Sequence, residues 1–112
     1  MYYLKVNQEL YPAEFAGKMV DTDWDRRESK TITFAPGFSV STVDALLRDD
    51  TAWSIFEVYS EGPEGPDHET EYDNSAYSVR GDLIIHPSGA ISVKMGKPTE
   101  LEEAYELLYG GM

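Results

Sequence analysis

Tyr77-Ser78-Val79-Arg80-Gly81-Asp82-Leu83-Ile84-Ile85-His86-Pro87-Ser88-Gly89-Ala90-Ile91-Ser92-Val93-Lys94-Met95 is the stretch whose reading decides the fold. Tyr77, Val79, Leu83 and Ile85 fall on one face, answered by Ile91, Val93 and Met95 after the break, and a period of two predicts paired strands. Pro87-Ser88-Gly89 suits a three-residue loop, in which Pro presets φ for a type I turn and Gly accepts the left-handed residue that follows. This loop predicts the register. Ile85 faces Ile91, Leu83 faces Val93, and Asp82 falls opposite Lys94 on the other face, so one alignment satisfies apolar and charged pairs together.

Outward from this hairpin, Tyr2, Leu4 and Val6 alternate with Tyr3 and Lys5, and Asn7-Gln8 turns the chain into a short partner strand at Glu9-Leu10-Tyr11 that Pro12 stops. Residues 12–28 carry no clear period and are expected to be loop, with a turn of helix near Ala13 to Phe15. Ser29 to Phe34 is expected as a strand with Ile32 and Phe34 on one face. Ser41-Thr42-Val43-Asp44 resembles a capping box opening a short helix whose buried stripe is Val43, Leu46 and Leu47. Trp53 to Tyr59 carries apolar residues on both faces, which suggests a central strand. Glu61-Gly62-Pro63-Glu64-Gly65-Pro66-Asp67 is a loop by composition. Thr99 caps a second helix with Glu102 as its reciprocal partner; Leu101, Ala104, Tyr105 and Leu108 are its expected inner stripe, and Gly110 its stop. The expectation is a single α+β domain over residues 1–112: an antiparallel sheet of five or six strands with two short helices packed on one face.

A chain of 112 residues buries roughly 65% of its unfolded surface around one core. It contains no cysteine, which excludes thiol nucleophiles, cysteine-ligated zinc and disulfides, and favours a reducing compartment. The N-terminal residues lack a basic region followed by an apolar run, so a soluble, cytoplasmic protein is expected. The formal net charge of −12 disfavours direct contact with nucleic acid or membrane and favours a protein partner with a basic surface, with the chain itself monomeric or weakly self-associating. The acids are segregated. Between Arg48 and Arg80 there is no Lys or Arg, while Asp49, Asp50, Glu57, Glu61, Glu64, Asp67, Glu69, Glu71 and Asp73 fall there, and Glu100, Glu102, Glu103 and Glu106 follow near the C-terminus.

Motifs that carry chemistry are incomplete. Asp21-x-Asp23-x-Asp25 suggests a calcium loop, but Arg26 stands where the EF-hand needs Gly and Ile32 where it needs Glu. His68-Glu69-Thr70-Glu71-Tyr72-Asp73 has the side chains of an acid-base site without the spacing of a metal motif. His86 is read as a solvated turn residue. Arg80-Gly81-Asp82 spells an adhesion tripeptide in mid-strand, where that recognition does not operate; Gly81 signals a bulge or a group packed over the strand. The tyrosines divide between core positions and a surface that could serve recognition. No catalytic residue, metal ligand or cofactor is assigned.

Arg27-Glu28-Ser29-Lys30, Ala52-Trp53-Ser54-Ile55, Tyr72-Asp73-Asn74-Ser75, Val93-Lys94-Met95-Gly96-Lys97 and the segment from Leu101 to Gly111 together resemble small uncharacterised proteins of tailed phages and prophages of gut Firmicutes. The resemblance covers most of the chain, with the N-terminal hairpin and the loop from Glu61 to Glu71 departing from it. It implies a bacterial cytoplasm and a phage-related role, and transfers no functional residue. The combined expectation is a non-enzymatic interaction module using an acidic surface of Glu64, Asp67, Glu69, Glu71, Asp73, Glu100, Glu103 and Glu106. Its rivals are a nucleic-acid mimic, a virion component, and a metal-dependent enzyme built on Asp21, Asp23, Asp25 or His68.

Overall fold

The computed structural model describes residues 1–60, 62, 65, 67–105, 107 and 108. Among the described residues, eight strands form two four-stranded antiparallel sheets, with two short helices. In order along the chain these are β1 (Tyr2–Val6), β2 (Glu9–Pro12), β3 (Glu14–Asp21), β4 (Arg27–Phe34), α1 (Val40–Leu46), β5 (Ser54–Ser60), β6 (Asp67–Asp73), β7 (Val79–Ile85), β8 (Ile91–Gly96) and α2 (Glu100–Tyr105). One sheet has the order β2-β1-β5-β6 and the other β3-β4-β8-β7. The α+β class stands, but the single sheet of five or six strands is replaced by two sheets and eight strands. The strands the sequence reading omits are β3, placed in the expected loop of residues 12–28, and β6. Both are sheet edges that leave most side chains in solvent, so neither needs apolar alternation.

The core lies between the sheets. Leu4, Val6 and Ile55 come from one sheet, Ile32, Phe34, Ile91, Val93 and Met95 from the other, and Val43, Leu47, Trp53 and Tyr77 close the sides. Trp53 donates from Nε1 to the Tyr77 carbonyl at 3.1 Å and stacks on Phe15. The opening hairpin forms as expected, with Asn7 and Gln8 both at positive φ in its two-residue turn. The molecule measures 55 × 33 × 26 Å. The β5–β6 hairpin runs on past its neighbour, since the pairing of β1 with β5 ends near Val58 while the β5–β6 ladder continues to Ser60 and Asp67.

The β7–β8 hairpin has the predicted register at its tip, with Ile85 opposite Ile91 and Leu83 opposite Val93, and Gly89 at φ +94°. Below Leu83 the ladder bulges. Arg80 pairs with Met95, so Gly81 and Asp82 share the stretch opposite Lys94, and the expected Asp82–Lys94 pair does not form. Trp24, from the β3–β4 turn, packs over this stretch. Its ring lies where Cβ atoms on Gly81 and Gly96 would sit, 2.8 Å from each ideal position. The bulge reverses the alternation, so Val79 leaves the face of Leu83 and Arg80 joins it. Ile85, expected in the core, is 59% exposed at the end of the edge strand.

Arg80 closes α1. Its Nη1 donates to the Leu47 carbonyl at 2.7 Å and lies 2.8 Å from the Asp44 carboxylate. At the other end Ser39, rather than Ser41, is the cap and accepts from the Thr42 amide at 3.2 Å. The predicted Thr99–Glu102 capping box of α2 forms in both directions. Its predicted inner stripe does not: Leu101, Ala104, Tyr105 and Leu108 are all exposed. The core is already closed by α1, and α2 is anchored by a polar contact, Glu102 to Arg27 at 2.8 Å. The expected helix end at Tyr109 and Gly110, and most of the expected loop from Glu61 to Asp67, lie outside the described residues, while Asp67 itself opens β6.

Candidate interaction surface

Asp67-His68-Glu69-Thr70-Glu71-Tyr72-Asp73 alternates acid with other residues, and a strand turns that alternation into two faces. β5 holds it, pairing Ile55 with Tyr72, Phe56 with Glu71 and Val58 with Glu69. Since Ile55 points into the core, Asp67, Glu69, Glu71 and Asp73 stand on the outer face, about 6.7 Å apart along the strand. Tyr3, Phe56 and Val58 share that face and are half-buried. The result is an apolar strip bordered by a row of carboxylates at the sheet edge.

Lys5 sits beside this row. Its ammonium lies 3.2 Å from Glu71 and 5.7 Å from the centre of the Phe56 ring. Asp73 accepts from the Ser75 hydroxyl at 2.6 Å and the Ser75 amide at 2.9 Å, and these bonds hold its carboxyl below the usual range. On the opposite face His68 stacks on Tyr59 with ring centres 5.1 Å apart.

The other predicted site residues lie elsewhere. Glu100 and Glu103 are exposed on α2, which docks at the start of β4 in the second sheet. There Glu102 and Glu103 line a cleft of about 740 Å³ with Asp49 and Asp50. The acidic candidates therefore form two groups, one on β6 and one around α2. Glu64 and Glu106 lie outside the described residues.

Asp21, Asp23 and Asp25 do not converge. Asp21 turns inward to Lys94 and Ser29, whereas Asp23 and Asp25 face solvent. Among the described residues no three His, Cys, Asp or Glu side chains are grouped to hold a metal ion.

Sequence reading also missed a cluster of ionisable groups around Tyr77. The Tyr77 hydroxyl donates to Glu28, Lys97 donates to the same carboxylate at 3.2 Å, and Lys30 donates to Asn74. The Lys30 and Lys97 ammoniums lie 4.7 and 5.1 Å from the Tyr77 ring centre. Burial and then the Glu28 bond push the Tyr77 hydroxyl up to about 12, the Tyr77 bond draws Glu28 down, and burial lowers Lys30. These groups satisfy one another and tie β4 to the β6–β7 connection. No local spacing announces them, because Glu28 and Tyr77 are 49 residues apart.

The same inward use of positive charge recurs at Lys94 with Asp21, Arg27 with Glu102 and Arg80 with Asp44. Much of the basic charge is thus neutralised within the fold, while the β6 carboxylates face outward. No described helix is long and apolar enough to cross a membrane. Compared with protein-family models, curated proteins and solved structures, the chain matches none.

Proposed function

We propose that this chain is a non-enzymatic module that binds a protein partner with a basic surface, through the acidic outer face of β6 and the apolar strip beside it. The observation that carries this reading is the alignment of Asp67, Glu69, Glu71 and Asp73 on one face of an edge strand. Such a field accelerates encounter with a basic partner and discriminates against acidic ones. With the resemblance of the sequence to phage and prophage proteins, the proposed setting is the bacterial cytoplasm and the proposed partner a host or phage protein.

A second reading is favoured by the even spacing of the row, comparable to that of phosphates along an extended strand: a mimic that occupies the basic groove of a nucleic-acid-binding protein. One experiment addresses both. The protein is used as bait in bacterial lysate at 0.1 M and 1 M salt, beside a Glu69→Gln, Glu71→Gln, Asp73→Asn variant that keeps volume and hydrogen-bonding capacity. Screening shortens from about 10 Å to about 3 Å across that range. A partner captured at low salt and lost both at high salt and with the variant supports the acidic surface, and displacement by DNA selects the mimic. A partner that ignores salt and the triple change overturns the reading.

A further inference from the structure

The two sheets have four edges, and they differ in how well they could take another strand. β2 has four residues and ends in Pro12, which has no amide to donate. β3 shifts register between Lys18 and Asp21, and β7 between Arg80 and Leu83. β6 pairs with β5 from Ser60–Asp67 to Ser54–Asp73 without a shift, so its outer edge is a regular run of seven residues. Every second amide and carbonyl along it points away from β5, which makes a template for one more strand.

Charge decides which strand. A second copy would set its own carboxylates against those of β6, and like charges across a ladder are destabilising. A neutral strand gains nothing from the row. A strand with Lys or Arg at alternate positions places each cation beside Asp67, Glu69 or Glu71, and its intervening side chains fall next to Thr70 and Tyr72, the latter 48% exposed. We propose that β6 accepts an extended basic peptide as a fifth strand of the β2-β1-β5-β6 sheet, with basic residues alternating with β-branched or aromatic ones. This deepens the interaction-module reading and rests on it. The carboxylates then have two consequences: they block self-pairing of the edge and select a basic partner.

The probe is an alternating lysine–threonine octapeptide, titrated at low salt against the whole protein. Its controls are the same peptide N-methylated at alternate backbone amides, in each of the two frames, which keeps the charge; the frame whose methyls face β6 prevents strand addition. Amide exchange is followed along β6. The expected result is binding at least tenfold tighter for the unmethylated peptide than for the weaker of the two methylated frames, with slowed exchange on β6 and at least tenfold weakening by Glu69→Gln with Glu71→Gln. If both methylated frames bind as tightly as the parent and β6 exchange is unchanged, strand addition is wrong while the acidic surface still stands. Tight binding of the parent to the doubly neutralised protein would also overturn the proposal. If no peptide binds at low salt, both readings fall.

Discussion

Lys94 donates from Nζ to Oδ2 of Asp21 at 2.7 Å, and the carboxylate it meets has no exposed surface. The two residues stand on β8 and β3, with β4 between them in the sheet. The Ser29 hydroxyl and the Asp23 amide also donate to Asp21. The Lys94 bond, opposed by burial and assisted by these two donors, lowers Asp21 to about 2. An acid held below its ordinary value favours the folded state above that ordinary value, near 3.8, and loses the contribution as pH falls towards 2. Denaturant midpoints should therefore drop across that window. Lys94→Met removes the largest lowering influence on Asp21, so the drop in midpoint across that window should shrink. An unchanged pH profile in Lys94→Met would show that the pair does not govern Asp21.

Arg80→Ser removes the cation that caps α1 at Leu47 and pairs with Asp44. Hydrogen bonds to charged groups contribute about 1.5–3 kcal/mol, so a loss of that order is expected in chemical denaturation. A loss under about 0.5 kcal/mol would place Arg80 among ordinary surface residues.

Gly81→Ala sets a methyl 2.8 Å from the Trp24 ring and 3.1 Å from the Lys94 carbonyl. Overpacking of this kind costs about 1–3 kcal/mol. Gly17→Ala, whose nearest neighbour would be 3.9 Å away, should be tolerated. Trp24→Ala should relieve part of the Gly81→Ala penalty in a double-mutant cycle, and strict additivity would separate the two residues.

Leu101→Gln should leave the denaturation midpoint within about 0.5 kcal/mol of the parent, since Leu101 is 82% exposed. Leu47→Ala, at a fully buried position, should cost about 2–5 kcal/mol. Thr99→Ala removes the α2 cap, locally worth about 1 kcal/mol, and should accelerate amide exchange in α2 without moving the global midpoint. A large global effect of Leu101→Gln would mean that α2 packs on the core.

Lys5→Gln removes the cation beside Glu71 and exposes more of the carboxylate row. Affinity for the alternating lysine–threonine peptide should rise, and the gain should vanish at 1 M salt. A fall in affinity would place Lys5 itself in the interface.

What the sequence alone determined about this protein is what neighbouring residues settle among themselves. The turn at Pro87-Ser88-Gly89 sets the pairing of Ile85 with Ile91, Asn7-Gln8 closes the first hairpin, Thr99 and Glu102 cap α2, and alternation marks Ile32, Phe34, Val93 and Met95 as buried. Tertiary structure alone decided which distant groups meet. Lys94 has Asp82 as its simplest ladder partner, yet it goes to Asp21, where the strand bulges at Gly81 and Asp82 under the Trp24 ring. The apolar side of α2 reads as core by its period, but period records amphipathicity and not whether a core remains open to receive it. For the candidate site, the acids of β6 were legible as charge and not as a row. β6 has no buried residue, so no apolar alternation marks it, and only the ladder with β5 shows that Glu69, Glu71 and Asp73 point the same way.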